Sequence, residues 1–220
     1  MTATRQLLLF PFSGNAREAV AVIEARNAVA PAWDFLGFVD DDARTHGATF
    51  AGYPVLGGRE VFAAHPGAMV LAVPGRPETF RNRPQIIASL GLPRQRLATL
   101  VHPTAALGPL VRLGVNTLVM AHVTLTAAVT VGDHVVMLPG TVVAHESVIG
   151  DYCLVGSNVS VSGGVRVGRC CYLGSGSRFI QEIVVGDAAM VGLGAVVVRD
   201  VLPETTVAGC PAGPIRGRDV

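Results

Sequence analysis

The sequence predicts two parts, a small α/β domain with parallel strands and then a parallel β solenoid with triangular coils. From residue 101 to residue 197 an apolar side chain recurs at every sixth position, with no polar exception. A period of six fits neither an α-helix nor a flat strand, but it is typical of a solenoid with one hexapeptide on each side of the coil. The first hundred residues lack this period. The repeat positions are Val101, Leu107, Leu113, Val119, Leu125, Val131, Met137, Val143, Ile149, Val155, Val161, Val167, Leu173, Phe179, Val185, Val191 and Val197.

Two further series support the same phase of the repeat. The residues four positions after each apolar member, from Ala105 to Ala195, are small or β-branched, as expected for a second inward position beside a tight corner. Glycine often follows the apolar residue, where a corner leaves no room for a Cβ atom. Three hexads give a coil of eighteen residues, and about 5.5 coils at roughly 4.8 Å form a rod about 26 Å long. One glycine edge shows this period as Gly114, Gly132, Gly150, Gly168 and Gly186.

In the first hundred residues, strand patterns alternate with helix patterns, which predicts a small parallel sheet. Ligands bind such sheets at the carboxyl ends of the strands. Those ends carry a predicted turn at Ser13-Gly14-Asn15, the acids Asp40-Asp41, and the segment Pro74-Gly75-Arg76. Backbone N–H groups of the glycine turn can bind a phosphate, and the acids can bind ribose hydroxyls. The predicted strands are Gln6–Phe10, Phe35–Val39 and Met69–Val73, and the predicted helices are Ala16–Ala28, Arg59–His65 and Arg81–Leu90. Pro54–Leu56 leads into a predicted turn at Gly57-Gly58.

The same ends contain no complete GxGxxG sequence, so a nucleotide-type ligand is favoured over a nicotinamide cofactor. Across 220 residues the net charge is +1, which gives no electrostatic reason to expect nucleic acid or an anionic membrane as partner. No apolar run approaches the length of a spanning helix, and Leu7–Phe10 is too short for a signal-peptide core. We therefore expect a cytoplasmic protein without membrane insertion.

Cysteine and histidine spacing predicts no metal site. Cys153 and Cys171 lie eighteen residues apart and are expected to stack as thiols inside the solenoid. Among the histidines, His145 stands out because it lies two residues past the inward Val143, so its ring points outwards, and Glu146 follows it directly. One coil further on, Gly163 leaves space beside the imidazole. This arrangement is consistent with a general base next to an oxyanion donor, but spacing alone favours an ordinary surface histidine.

The segment 142–152, which includes His145-Glu146 and Ile149-Gly150-Asp151-Tyr152, resembles the His-acid-x-x-Ile-Gly-Asp-aromatic segment of bacterial hexapeptide-repeat acyltransferases. More narrowly, the chain is similar to nucleotide-sugar N-acetyltransferases and sialic acid O-acetyltransferases. The likeness extends over almost the whole chain. Its other segments are the Ala16-Arg17-Glu18 helix start, residues 37–41 (GFVDD), 54–58 (PVLGG), 102–105 (HPTA) and 207–212 (VAGCPA).

This resemblance implies a Rossmann-like domain over residues 1–98, a left-handed parallel β-helix over 99–200, and a cofactor-contacting tail over 201–220. It also implies a homotrimer with acetyl-CoA in a groove between adjacent solenoids. The expected reaction is transfer of acetyl to the amino group of a nucleotide-linked amino sugar, such as a 4-amino-4,6-dideoxy sugar. His145 would be the general base, Glu146 would orient it, and Gly163 would donate an N–H to the oxyanion. O-acetylation of a sugar such as sialic acid and a non-catalytic trimeric scaffold are the alternatives.

Two glycine ladders are candidates for the cofactor groove. Gly156, Gly174 and Gly192 stand at corners, whereas Gly176 and Gly194 lie two residues further on, where a turn should demand glycine less. The second pair is therefore expected to line the pantetheine arm, with Ala208 and Gly209 near the adenine. Ser13, Gly14 and Asn15 are expected near the acceptor's phosphate or sugar, and Asp40 and Asp41 near its base or ribose. The chain departs from the family pattern at three positions: Pro11 in place of a usual glycine, Asn15 in place of a common histidine, and Leu154 in place of a histidine found in some relatives.

Overall fold

The computed structural model describes residues 4–215, and its first part is an α/β domain built on a five-stranded sheet. The strand order is β3-β4-β2-β1-β5, with β3 antiparallel to β4 and the other neighbours parallel. The strands are β1 (Arg5–Phe10), β2 (Trp33–Val39), β3 (Thr49–Phe50), β4 (Tyr53–Gly57) and β5 (Met69–Ala72). The helices are α1 (Gly14–Val29), α2 (Glu60–Ala64) and α3 (Arg83–Ala88), with 3-10 turns at Ala43–Thr45, Phe80–Asn82 and Arg94–Arg96.

Every strand and helix predicted for this domain is present, but the turn at Ser13-Gly14-Asn15 is part of a helix instead. Ser13 is the N-cap of α1, its Oγ accepts from the Ala16 N–H at 3.4 Å, and the helix begins at Gly14. The prediction of a turn was wrong because Ser-Gly-Asn is common both in turns and at the start of helices. Sequence alone also missed β3, a two-residue strand without periodicity, and did not identify residues 53–57 as the strand β4.

The second part is the predicted solenoid, which forms three sheets whose strands are parallel except for the last strand of one sheet. Partner strands are one coil of eighteen residues apart, as in the pairing of Leu125 with Val143. One face packs against the α/β domain, and we call it the docked face. It contains β6 (Leu100–Val101), β9 (Leu118–Val119), β12 (Val136–Met137), β15 (Leu154–Val155), β18 (Tyr172–Leu173), β21 (Met190–Val191), β23 (Thr206–Gly209) and β24 (Ala212–Pro214). The second face contains β7 (Ala106–Leu107), β10 (Thr124–Leu125), β13 (Val142–Val143), β16 (Ser160–Val161), β19 (Arg178–Phe179) and β22 (Val196–Val197). The third face contains β8 (Arg112–Leu113), β11 (Thr130–Val131), β14 (Val148–Ile149), β17 (Arg166–Val167) and β20 (Val184–Val185).

Both predicted inward ladders form the solenoid core. From Val119 onwards the apolar repeat positions are buried, and so are Cys153 and Cys171, which are free thiols. Each corner from Leu110 to Gly194 places one residue, three positions after the apolar member, at positive φ; these residues include His134, Glu146 and Tyr152 at 62°, 59° and 63°. The corners therefore hold many non-glycine residues in the left-handed conformation, which the sequence pattern did not reveal.

The α/β domain packs against the docked face. Outward side chains of that face, including Leu118, Val136 and Leu154, share one buried cluster with Leu7, Leu9 and other residues of β1 and α1. At the far end, β23 pairs in parallel with β21 at an offset of sixteen residues, so the segment after Pro203 continues the docked face. No helix in the described range 4–215 is long and apolar enough to cross a membrane.

Candidate active site

A cavity of about 770 Å³ lies between the carboxyl edge of the α/β sheet and the docked face, and we call it the acceptor cavity. The structure brings all five predicted acceptor residues to its wall: Ser13, Gly14, Asn15, Asp40 and Asp41. They come from the ends of two neighbouring parallel strands, which is where a sheet of this topology collects ligands. The solenoid closes the opposite side of the cavity.

One wall of the cavity is the N-terminus of α1. The helix has no acidic residue in its first turn, and the Gly14 and Asn15 N–H groups have no acceptor among the described residues. Free N–H groups and the helix dipole make this end suitable for an anion. The Asn15 side chain points to the loop after β5, where its Nδ2 donates to the carbonyls of Val73 and Gly75 at 3.4 and 3.3 Å.

The two aspartates already have partners. One oxygen of Asp40 accepts from the Phe12 N–H and the other from the Asp42 N–H, both at 2.8 Å. Asp41 forms an ion pair with Arg59, whose Nε lies 2.8 Å from a carboxylate oxygen. A carboxylate has about four acceptor sites, so both groups retain lone pairs for a ligand. Their first effect, however, is to hold the turns that shape the cavity.

Sequence reasoning missed several residues of the cavity wall. Arg17 lies one turn into α1, with its guanidinium 5.3 Å from the centre of the Phe12 ring, and no carboxylate pairs with it in the described chain. Its place on the cavity wall was predictable from its position four residues after Ser13, because residues i and i+4 share one helix face. Leu154 and Tyr172, outward residues of the docked face, carry no such signal.

A second, smaller groove of about 360 Å³ lies at the corner between the second and third faces and contains His145, Glu146 and Gly163. A Cβ atom at Gly163 would lie 2.5 to 2.6 Å from Cε1 and Nε2 of the His145 ring, so any other residue there would displace the imidazole from this position. Glu146 is held at φ 59°, and its carboxylate lies 3.4 Å from His145 Nδ1. The structure thus brings together the three residues predicted for this chemistry.

The groove offers a base and a donor side by side. His145 is 66% exposed, and its Nε2 makes no hydrogen bond within residues 4–215. The Gly163 N–H likewise has no acceptor in that range, whereas its carbonyl accepts from the Glu182 N–H at 3.0 Å. An imidazole oriented through Nδ1, with a free Nε2 and a free backbone N–H nearby, can remove a proton and stabilise an oxyanion.

The remaining predicted cofactor residues lie elsewhere. Gly176 and Gly194 stand at the corner between the docked and second faces, and Ala208 adjoins Gly192 there, with 2.9 Å from its Cβ to a Cβ built on that glycine. The expectation of a weak turn requirement at Gly176 and Gly194 was wrong, because both adopt positive φ, at 74° and 65°. Within one chain these residues and Gly163 therefore occupy different corners of the solenoid.

Comparisons with known proteins agree with the fold and the groove described above. The profile described as bacterial transferase hexapeptide (six repeats) matches residues 146–181. No curated protein matches the chain. A perosamine N-acetyltransferase from Caulobacter crescentus, solved with a histidine replaced by asparagine and with CoA and GDP-perosamine, is 27% identical, with a TM-score of 0.82 over 99% of each chain. The acetyltransferase domain of PglB from Neisseria gonorrhoeae FA1090, in complex with acetyl coenzyme A, is 26% identical, with a TM-score of 0.79 over 97% of this chain and 100% of that one.

Fold and groove together define a transferase built on hexapeptide repeats, with an α/β domain in front of a left-handed parallel β-helix. More narrowly, the chain is an acyltransferase that is similar, over almost its whole length, to a perosamine N-acetyltransferase and to the acetyltransferase domain of PglB. WeeI from Acinetobacter baumannii AYE, at 23% identity and a TM-score of 0.80 over 97% of this chain and 100% of that one, shares the fold. The predicted fold class is confirmed, and the alternative of a non-catalytic scaffold was wrong.

Proposed function

We propose that this protein transfers the acetyl group of acetyl-CoA to the amino group of a nucleotide-linked amino sugar. The observation that carries the proposal is the His145 imidazole, which has a free Nε2 and lies against the bare backbone of Gly163. The similarity to enzymes solved with CoA and GDP-perosamine, or with acetyl-CoA, supports both substrates.

The chemistry needs no covalent intermediate. The acceptor amine attacks the thioester carbonyl while His145 Nε2 takes a proton from the nitrogen, and Glu146 orients the ring through Nδ1. The Gly163 N–H donates to the oxyanion of the tetrahedral intermediate. When the C–S bond breaks, the sulfur of CoA takes up the proton from His145, and a new C–N amide bond remains.

In the acceptor cavity, the N-terminus of α1 would hold the phosphates of the nucleotide. The Gly14 and Asn15 N–H groups supply donors, and Arg17 supplies a positive charge from the next turn. Asp40 and Asp41 would contact the ribose or base through their remaining lone pairs. This phosphate site favours a nucleotide-linked sugar over the free sugar of the O-acetylation alternative.

We further propose that the working unit is a homotrimer. The acceptor cavity and the His145 groove of one chain share no residue and lie on either side of the second face. That face exposes the apolar side chains Val142, Ile180 and Val198. Packing of neighbouring chains at this face would bring the groove of one to the cavity of the next, with Gly176, Gly194, Ala208 and Gly209 lining the cofactor between them.

A thiol-release assay tests the function directly. Purified protein is mixed with acetyl-CoA and with GDP-perosamine, UDP- and dTDP-linked 4-amino-4,6-dideoxy sugars, or sialic acid. We expect CoA release with at least one amino-sugar nucleotide and none with sialic acid, and we expect His145→Ala to lower the rate by about 10²–10⁴-fold. His122→Ala is the control, because His122 lies in neither cavity. Alanine is also compatible with its φ of 59°, since Ala128 adopts a φ of 56° at an equivalent corner. Turnover of sialic acid alone, or normal turnover by His145→Ala in an intact trimer, would contradict the proposal.

A further inference from the structure

Arg83, at the start of α3, is completely buried, which is unusual for an arginine. Its guanidinium has no carboxylate partner within residues 4–215 and donates to three backbone carbonyls: Nε to Tyr152 at 3.0 Å, Nη1 to Pro74 and Nη2 to His134. Burial lowers the pKa of Arg83 to about 10, so the group is still charged at neutral pH. A buried charge held only by carbonyls is costly, which suggests that what it organises has a function.

On the α/β side, Arg83 fixes the loop after β5 that forms part of the acceptor cavity. Gly75 in this loop has a φ of 108°, and a Cβ atom there would lie 3.0 and 3.1 Å from Cγ and Cδ of Arg83. From the opposite side, Asn15 Nδ2 donates to the carbonyls of Val73 and Gly75. The loop is thus clamped between Arg83 and the first turn of α1, which is the predicted phosphate site.

On the solenoid side, the same guanidinium binds two successive coils. His134 and Tyr152 occupy equivalent corner positions at φ 62° and 63°, and their rings stack at 4.5 Å with an interplanar angle of 13°. Two residues after Tyr152, Leu154 projects from the docked face into the acceptor cavity, and a Cβ on Gly75 would lie 3.5 Å from its Cδ1. One side chain therefore connects both walls of the cavity.

We propose that Arg83 is a positioning residue for acceptor binding: it holds the Pro74-Gly75 loop at a fixed distance from the docked face and so sets the width of the acceptor cavity. The proposal rests on the proposed function of that cavity. It assigns no contact between Arg83 and the acceptor, because the guanidinium is buried beneath the loop.

The test compares Arg83→Met and Arg83→Lys with Arg81→Met as the matched control. Arg81 comes from the same segment and also donates to a solenoid carbonyl, Ala188 at 3.0 Å, but it is exposed and lies outside the cavity. With the amino-sugar nucleotide that gives turnover, we expect Arg83→Met to raise the acceptor KM at least tenfold and to leave the acetyl-CoA KM within twofold. Arg83→Lys retains the charge but cannot donate to three carbonyls from one planar group, so we expect an intermediate increase of the acceptor KM. Arg81→Met should change neither constant.

A second readout does not depend on substrate. Hydrogen exchange of a peptide covering residues 73–79 should accelerate more than tenfold in Arg83→Met and remain normal in Arg81→Met. If Arg83→Met does not fold, Arg83→Lys decides both readouts. A folded Arg83 variant with a normal acceptor KM overturns the positioning role while the proposed function stands. If the wild-type protein turns over no amino-sugar nucleotide, the proposed function fails. In that case hydrogen exchange of residues 73–79 still tests Arg83, and an unchanged exchange rate in the Arg83 variant would show that Arg83 does not hold the loop.

Discussion

At the scale of single residues, Asp40 differs most from what its position suggested. The carboxylate accepts one backbone N–H from Phe12 and one from Asp42, so it ties the turn after β1 to the turn after β2. In Asp40→Asn only the amide oxygen can accept, and one N–H group loses its partner. We expect the acceptor KM to rise about tenfold, which corresponds to one lost hydrogen bond of about 1.4 kcal/mol, with an unchanged acetyl-CoA KM. Steady-state kinetics with each substrate varied in turn measure this.

The control for Asp40 is Asp42→Asn. Asp42 is the N-cap of the Ala43–Thr45 turn and pairs with Arg44, outside the acceptor cavity, and asparagine is an equally good N-cap. It should leave both Michaelis constants unchanged. An unaltered acceptor KM in Asp40→Asn would show that neither turn is part of the acceptor site.

Residues at the two cavities were predictable to different degrees. His145, Glu146 and Gly163 follow from the repeat, because residues eighteen apart stack in any regular solenoid with three hexads per coil. The internal role of Asp40 did not follow, because its partners are backbone N–H groups that no side-chain pattern reveals. Arg83 was missed for a related reason: an arginine in a short helix is normally exposed, and its three acceptors are carbonyls from distant segments.

At the scale of elements, the six-residue period predicted the solenoid strands but not the conformation of its corners. Corner positions at positive φ are occupied by leucine, histidine, glutamate and tyrosine as well as glycine, so composition does not mark them. Leu110 is an example, with a φ of 61° and 79% exposure. A large side chain at such a corner is therefore compatible with the fold, and its effect on a ligand can be measured.

Gly194 is a corner position at which the effect of a large side chain on a ligand can be measured. Its φ is 65°, and a Cβ atom there would meet nothing within 4 Å. Both Gly194→Ala and Gly194→Leu carry the strain of a left-handed residue, about 1–2 kcal/mol, but only leucine projects into the proposed cofactor groove. We expect equal losses in the free energy of unfolding and an increase of the acetyl-CoA KM in Gly194→Leu alone. Equal acetyl-CoA KM values in the two variants would mean that the groove lies elsewhere.

At the scale of the whole molecule, the two domains are joined by a buried polar network that no single segment predicts. Asn116, at a solenoid corner, pairs with Ala72 at the end of β5: its Oδ1 accepts the Ala72 N–H and its Nδ2 donates to the Ala72 carbonyl, both at 2.7 Å. This fixes the orientation of the amide. The second hydrogen of Nδ2 then points at His134 Nδ1, 3.0 Å away, which must act as an acceptor. His134 is therefore neutral in the folded protein.

This network makes the stability of the molecule depend on pH. Burial lowers the pKa of His134 below its ordinary value of 6.5; Arg83 and Arg94 also lower it, while Asp133 and Asp151 act in the opposite direction. The unfolded chain consequently binds the proton at a higher pH than the folded one. Stability from this group is complete above about pH 6.5 and decreases as the pH falls towards the lowered pKa of the folded state.

We therefore expect His134→Asn to flatten the loss of stability between pH 7 and pH 5, because asparagine can still accept from Asn116 but does not titrate. The measurement is the free energy of unfolding in urea at half-unit pH steps. His122→Asn is the matched control, because His122 also occupies a corner at positive φ, 59°, but takes no part in the contacts with Ala72 or Arg83. Because it leaves every contact of His134 intact, it should retain the loss of stability that His134 causes as the pH falls. If His134→Asn retains the full slope, the proton is taken up elsewhere, and the contact between the domains does not respond to pH.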